Sequence, residues 1–173
     1  MPDAHPIVIA VFDRAAAAAT AARALHAMGI PRDGLSVVAR NHDEEGALAD
    51  RMDASPGADL EDSRPAARLG ELGGLAIAAV AVVLPGIGNI VAGGPLAAGL
   101  GEAAGHVAGG VASVLTAAGV PRGRADEYQR EVERGAILLA VHVPHGRAGE
   151  DTSVRDILTV AGGRDLEVVN WPA

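Results

Sequence analysis

HPIVIAVFDRAAAAATAARALHAMGIPRDGLSVVAR, residues 5–40, is the stretch from which the fold is read. Residues 5–12 are dense in β-branched side chains, which lose little χ1 freedom in an extended chain and pack well on a pleated surface. Asp13 stands at an expected N-cap position, and the Ala-rich run Arg14–Met28 has strong helix propensity. Gly29 closes that helix, Pro31 prevents its continuation, and Leu35–Arg40 predicts a second strand. The unit is β-α-β.

The far end of the chain has the same character. Ala125–Arg134 predicts a charged helix stopped by Gly135, and Ala136–Val143 a strand. Asp151–Val160 predicts a helix ended by Gly162-Gly163, followed by a strand over Leu166–Trp171. Residues 5–12 and 136–143 are apolar at nearly every position, so both faces of these strands should be covered. Leu35–Arg40 and Leu166–Trp171 alternate with polar residues and are expected at the edges. The class is therefore α+β, a ferredoxin-like split β-α-β sheet with expected order 4-1-3-2, built from residues 5–40 and 121–171. Two helices cover one face of such a sheet. The other face is apolar at its centre and needs cover from an insert or a second subunit.

Between these halves lie two segments of different composition. Residues 41–68 form an acidic linker holding Asp43, Glu44, Glu45, Asp50, Asp53, Asp59, Glu61 and Asp62. The alternating ligands and turn glycine of a calcium loop are missing, so a solvated acidic stretch is expected and not a metal site. Residues 69–120 are expected to form an inserted Gly/Ala-rich helical hairpin. Its first part, Leu72–Gly101, carries no charged residue. The expected breaks between short helices fall at Pro85, Gly86, Gly88, Gly93, Gly94 and Pro95. Ala97, Gly101, Gly105, Gly109, Ser113 and Ala117 then place a small residue at every fourth position. On a helix these make one slowly drifting stripe, a glycine zipper that lets a neighbouring backbone approach closely. Assembly into a homo-oligomer through this stripe is the expectation.

The insert also carries a resemblance. Leu84-Pro85-Gly86-Ile87-Gly88, then Ala92-Gly93-Gly94-Pro95-Leu96-Ala97-Ala98-Gly99, then Gly119-Val120-Pro121 with Ala125, Tyr128 and residues 135–141 resemble the bacterial general stress protein family. Residues 5–40 and 69–171 share in the likeness, while Asn89 departs from the Pro expected after the PGIG run. The resemblance implies a ferredoxin-like domain with a glycine-rich hydrophobic insert, a stress-associated role and no assigned catalytic residue.

Composition narrows the chemistry. The formal net charge is -8 and the chain has no Lys, so there is no basic stripe to hold nucleic acid. The chain has no Cys, which removes disulfides, thiolate metal sites and a Cys nucleophile. Gly86-x-Gly88 has Val91 where a dinucleotide fingerprint needs its third Gly, and Gly93-Gly94-Pro95 lacks the Lys-Ser/Thr of a P-loop. None of Ser36, Ser55, Ser63, Ser113 and Ser153 has the flanking glycines of a nucleophile elbow. His142-x-x-His145 sits at a strand end without an evident third metal ligand, and is read as a surface pair. His106, four residues after Glu102, is read as a hydrogen-bonded interface residue. No catalytic, cofactor-binding or metal-binding residue is assigned, no cofactor or small-molecule ligand is implied, and a non-enzymatic protein is expected.

The compartment has two readings. Met1-Pro2-Asp3-Ala4-His5 has no basic n-region, so the cytoplasm is the default. A membrane-associated alternative takes Leu72–Leu100 as one kinked span and Ala103–Val120 as a second. Arg64 and Arg68 before the pair, and Arg122 and Arg124 after it, would leave both ends of that hairpin on the cytoplasmic side of an inner membrane.

Overall fold

The computed structural model describes residues 5–40, 71–72, 75–76, 79–84, 88–96, 110–143 and 150–171, with the strands between 71 and 93 described by their backbone. It is an α+β fold, a six-stranded antiparallel sheet with helices. In chain order the elements are β1 (His5–Phe12), α1 (Ala15–Met28), β2 (Leu35–Arg40), β3 (Glu71–Leu72), β4 (Leu75–Ala76), β5 (Ala79–Leu84) and β6 (Gly88–Gly93). Then come α2 (Val111–Ala117), α3 (Arg122–Glu133), β7 (Ile137–His142), α4 (Glu150–Val160) and β8 (Arg164–Trp171). The large sheet has the order β5-β6-β2-β7-β1-β8, and β3 pairs with β4 apart from it.

Alternation along the central strands divides the core in two. Ile7, Ile9 and Val11 of β1, with Val38, Leu138 and Ala140, face α2 and α3 and pack with Val111, Leu115, Tyr128 and Val132. Val8, Ala10 and Phe12, with Leu35, Val37, Leu139 and Val141, face α1 and α4 and pack with Leu25, Val154 and Leu158. On α1 the buried residues are Ala18, Ala21, Ala22 and Leu25, one stripe at helical spacing. Three of the four are alanine, so this helix buries no long side chains there and its backbone can lie close to the sheet. The second sheet face, which the sequence left needing cover, is covered by α2 and α3 of the same chain.

Four expectations are corrected. The segment expected to be a helical hairpin contains four strands: the short β3 and β4 pair with each other, Ala79–Leu84 pairs in register with Gly88–Gly93, and β6 in turn pairs with β2. AVAVVL is rich in β-branched residues, and that preference outweighs the Ala content once a sheet edge is offered. β2 is consequently interior and not an edge, and five of its six residues are buried. The kinked span proposed over Leu72–Leu100 is broken up by the same strands, and no helix among the described residues is long and apolar enough to cross a membrane. Lastly, Asp13 does not cap α1. Arg14 is the N-cap residue, with no side-chain cap, and the Asp13 carboxylate turns instead to Arg164 at 2.7 Å.

Gly94 terminates β6 with φ +79, and a Cβ built there would lie 2.0 Å from the Leu35 carbonyl oxygen. Only glycine allows the chain to lie this close to the start of β2. Gly119, with φ +97, likewise lies against the Asn170 carbonyl of β8 where α2 turns into α3.

Candidate functional site

The register of the sheet gathers polar and aromatic residues at one end. β1 begins where β7 and β8 finish, because both run antiparallel to it: His5 is opposite Trp171, and Ile7 is opposite His142. β2 begins at that same end, with Leu35 opposite Val141. Side chains two residues apart share a face. Trp171, His5, His142 and Ser36 therefore form a row, one residue from each of β8, β1, β7 and β2.

Hydrogen bonds join His5, His142 and Ser36, and Trp171 joins the row by ring contact. His5 Nε2 and His142 Nδ1 are 2.9 Å apart. His142 Nε2 is 3.3 Å from Ser36 Oγ, which accepts the Leu96 backbone N–H at 3.1 Å. The His142 ring lies 5.1 Å from the Trp171 ring and 5.2 Å from that of His5, tilted to both. Ser36 is fully buried and His142 is 8% exposed, so a charge on His142 has little water to stabilise it. Burial, and to a smaller degree repulsion from His5, pushes the His142 pKa down to about 4. At neutral pH this imidazole is uncharged.

A second network ties α3 to the opposite end of the sheet. Arg164 at the start of β8 pairs with Asp13, Glu131 and Asp165. Arg124 donates to Glu167 and Glu127, and its guanidinium carbon lies 5.2 Å from the centre of the Tyr128 ring. Tyr128 donates from its hydroxyl to the Asp165 carbonyl, and Asp165 has a left-handed φ of 54. Burial pushes the Tyr128 phenol up to about 12. Hydrogen bonds from Arg164 hold the Asp13 and Glu131 carboxyls below their usual range. These arginines are engaged within the chain and act as a clasp.

The residues singled out from the sequence are distributed otherwise. Ser113 and Ala117 lie on α2, Ser113 half-buried and Ala117 exposed. Ala97, Gly101, Gly105 and Gly109, the other four of the small-residue stripe, lie outside the described residues, as do Pro85, Gly86, His106 and His145. Gly88 and Gly93, expected in turns, are the end residues of β6. Gly94 makes the bend after it, and Pro95 follows. His142 is not the surface residue expected, because its strand is interior to the sheet and its side chain is buried. Among the described residues no three or more of His, Cys, Asp and Glu stand close enough to hold a metal ion.

The sequence reading missed the row itself. The signal lay in topology: given the order 4-1-3-2, the beginning of the first strand and the end of the third meet at one end of the sheet, bringing His5 and His142 together. Compared with protein-family models, curated proteins and solved structures, the chain matches none.

Proposed function

We propose that this chain is a non-enzymatic protein of the general stress type that works by associating with copies of itself. Its ferredoxin-like core is the quartet β8-β1-β7-β2 with α1 and α4 on one face, and the segment between β2 and β7 is its insert. The observation that carries this reading is the division of α2. Val111, Ala112, Val114 and Leu115 are buried in the core, whereas Ser113 is half-buried and Ala117 exposed. The small-residue stripe thus ends on the outer side of its helix, not against the sheet. Small side chains there permit close approach of a second α2 across a two-fold axis, with the same patch used by both copies.

The test is light scattering on the untagged chain and on Ala117→Arg. The chain has a mass of 17.3 kDa, and the reading predicts a defined multiple of it that falls to one chain in the variant. A wild-type mass of one chain, or an oligomer indifferent to Ala117→Arg, overturns the reading.

A further inference from the structure

The direction of the backbone hydrogen bonds can be followed across the large sheet from one fixed point. Val143 N–H donates to the Pro6 carbonyl at 2.9 Å, so the backbone groups of Pro6 face β7. In an antiparallel ladder the N–H and C=O of one residue point to the same side, and the side alternates along the strand. Carried through the registers, this turns Val141 toward β1, Ala140 toward β2, and Leu35 and Val37 toward β6. Gly93 then faces β2, Ala92 faces β5, and Val80, Val82 and Leu84 face β6. The close approach of Gly94 to the Leu35 carbonyl agrees, since that carbonyl points to the β6 side. Ala79, Ala81 and Val83 are left with their N–H and C=O turned outward. Among the described residues β5 is the last strand of the sheet on that side.

We propose that this edge is a second self-association surface, on which β5 of another copy pairs antiparallel with β5 about a two-fold axis at Ala81. A row of outward N–H and C=O groups is a template for a further strand. Here the outward residues are evenly spaced, so the strand is complementary to itself. Each Ala81 lies opposite the other, and Ala79 of either copy lies opposite Val83 of its partner. Every opposed pair exchanges both of its N–H···O bonds, and no outward group of the strand is left over. The two sheets continue into one, with the same patch used by both copies.

The two edges of the sheet are built differently, and the difference selects the occupant. β8 carries Arg164, Asp165 and Glu167, and its register against β1 shifts between Ile9 and Val11. Asp165 has a left-handed φ of 54, and Gly119 lies against the Asn170 carbonyl. Charge, irregular pairing and a covering turn are devices that keep an edge from adding strands. β5 is plain by comparison: AVAVVL has no charge and pairs with β6 without a break from Ala79 to Leu84. The edge of a second copy that fits β5 is therefore β5, where no like charges meet, and not β8. One strand pair is a small contact beside a standard protein interface, so it closes at higher chain concentration than the pairing at α2. It goes beyond that pairing and does not depend on it. Where both hold, two different two-fold contacts link copies into assemblies that grow with concentration.

The experiment is amide exchange of the full chain at about 1 mM and at about 20 μM, quenched into an aprotic solvent and read residue by residue by NMR. It is run on the unchanged chain and on Ala117→Arg, so that failure at α2 and failure at β5 read separately. Edge pairing predicts that Ala79, Ala81 and Val83 gain about tenfold protection at the higher concentration in both chains, while Val80, Val82 and Leu84 stay as they were. Ala81→Pro removes an outward N–H and none that faces β6, so the gain at Ala79 and Val83 should vanish. Ala81→Lys, which sets like charges opposite one another on the two-fold axis, should abolish it too and serves where the proline variant does not fold. No gain at the outward amides would overturn the proposal. So would protection equal at both concentrations, which would put another segment of the same chain on the edge. A gain shared by all residues of β5, or one that survives in the Ala81 variants, would overturn it as well.

Discussion

At the scale of single residues, the sharpest constraint is Gly94. A methyl group at its Cβ has no room against the Leu35 carbonyl, and the positive φ is costly for any other residue. Gly94→Ala should therefore lower stability by about 3 kcal/mol or more in urea unfolding, far above a surface substitution. His142 sets the pH response. Its pKa of about 4 lies below the ordinary value near 6.5, so the unfolded chain binds the extra proton first. Its contribution is complete above about pH 6.5 and is lost as pH falls toward about 4, a loss of about 2 kcal/mol between about pH 7 and about pH 5. Unfolding midpoints across that range should fall accordingly, and His142→Gln should flatten the curve. Asp13 and Glu131 act at lower pH: Arg164 holds them low, so their contribution is complete above the ordinary carboxyl range and is lost as pH falls through that range toward their lowered values. Tyr128→Phe removes the hydrogen bond to Asp165 and should cost about 1 kcal/mol by the same unfolding assay.

At the scale of elements, α2 has two sides with different consequences. Leu115 is buried against the sheet, so Leu115→Ala should cost about 2–5 kcal/mol by thermal or urea unfolding. Ala117 is exposed, so Ala117→Arg should change monomer stability by less than about 0.5 kcal/mol while changing association. This is also the scale at which sequence reading succeeded and failed. The β1-α1-β2 unit was legible because Val, Ile, Ala, Gly29 and Pro31 each favour one local conformation, and all agree. The 79–93 segment was not, because Ala and Gly are compatible with either helix or strand, and β2 across the sheet decides between them. Asp13 looked like a cap from its neighbours alone, yet its partner Arg164 is distant in sequence. Ser36 and His142 were visible as residues, but the row they form depends on register, which a single strand does not announce.

At the scale of the whole molecule, both faces of the β8-β1-β7-β2 quartet are packed by helices of the same chain, and the two ends of the sheet differ in chemistry. One end is a charged clasp of Arg124 and Arg164 with five carboxylates; the other is the row of Trp171, His5, His142 and Ser36. The association we propose falls to a surface that this core does not use. The outer side of α2 is the surface we assign to it. Because the chain has no cysteine, a thiol introduced at Ala117 is the only one present, and a disulfide can form only between two copies. The most direct measurement is mild oxidation of Ala117→Cys in dilute solution beside Val160→Cys, a control at a residue 88% exposed near the end of α4. Two copies joined α2 to α2 predict rapid, near-complete conversion of Ala117→Cys to a covalent dimer while the control stays largely monomeric. Equal, slow crosslinking of the two variants would contradict the account.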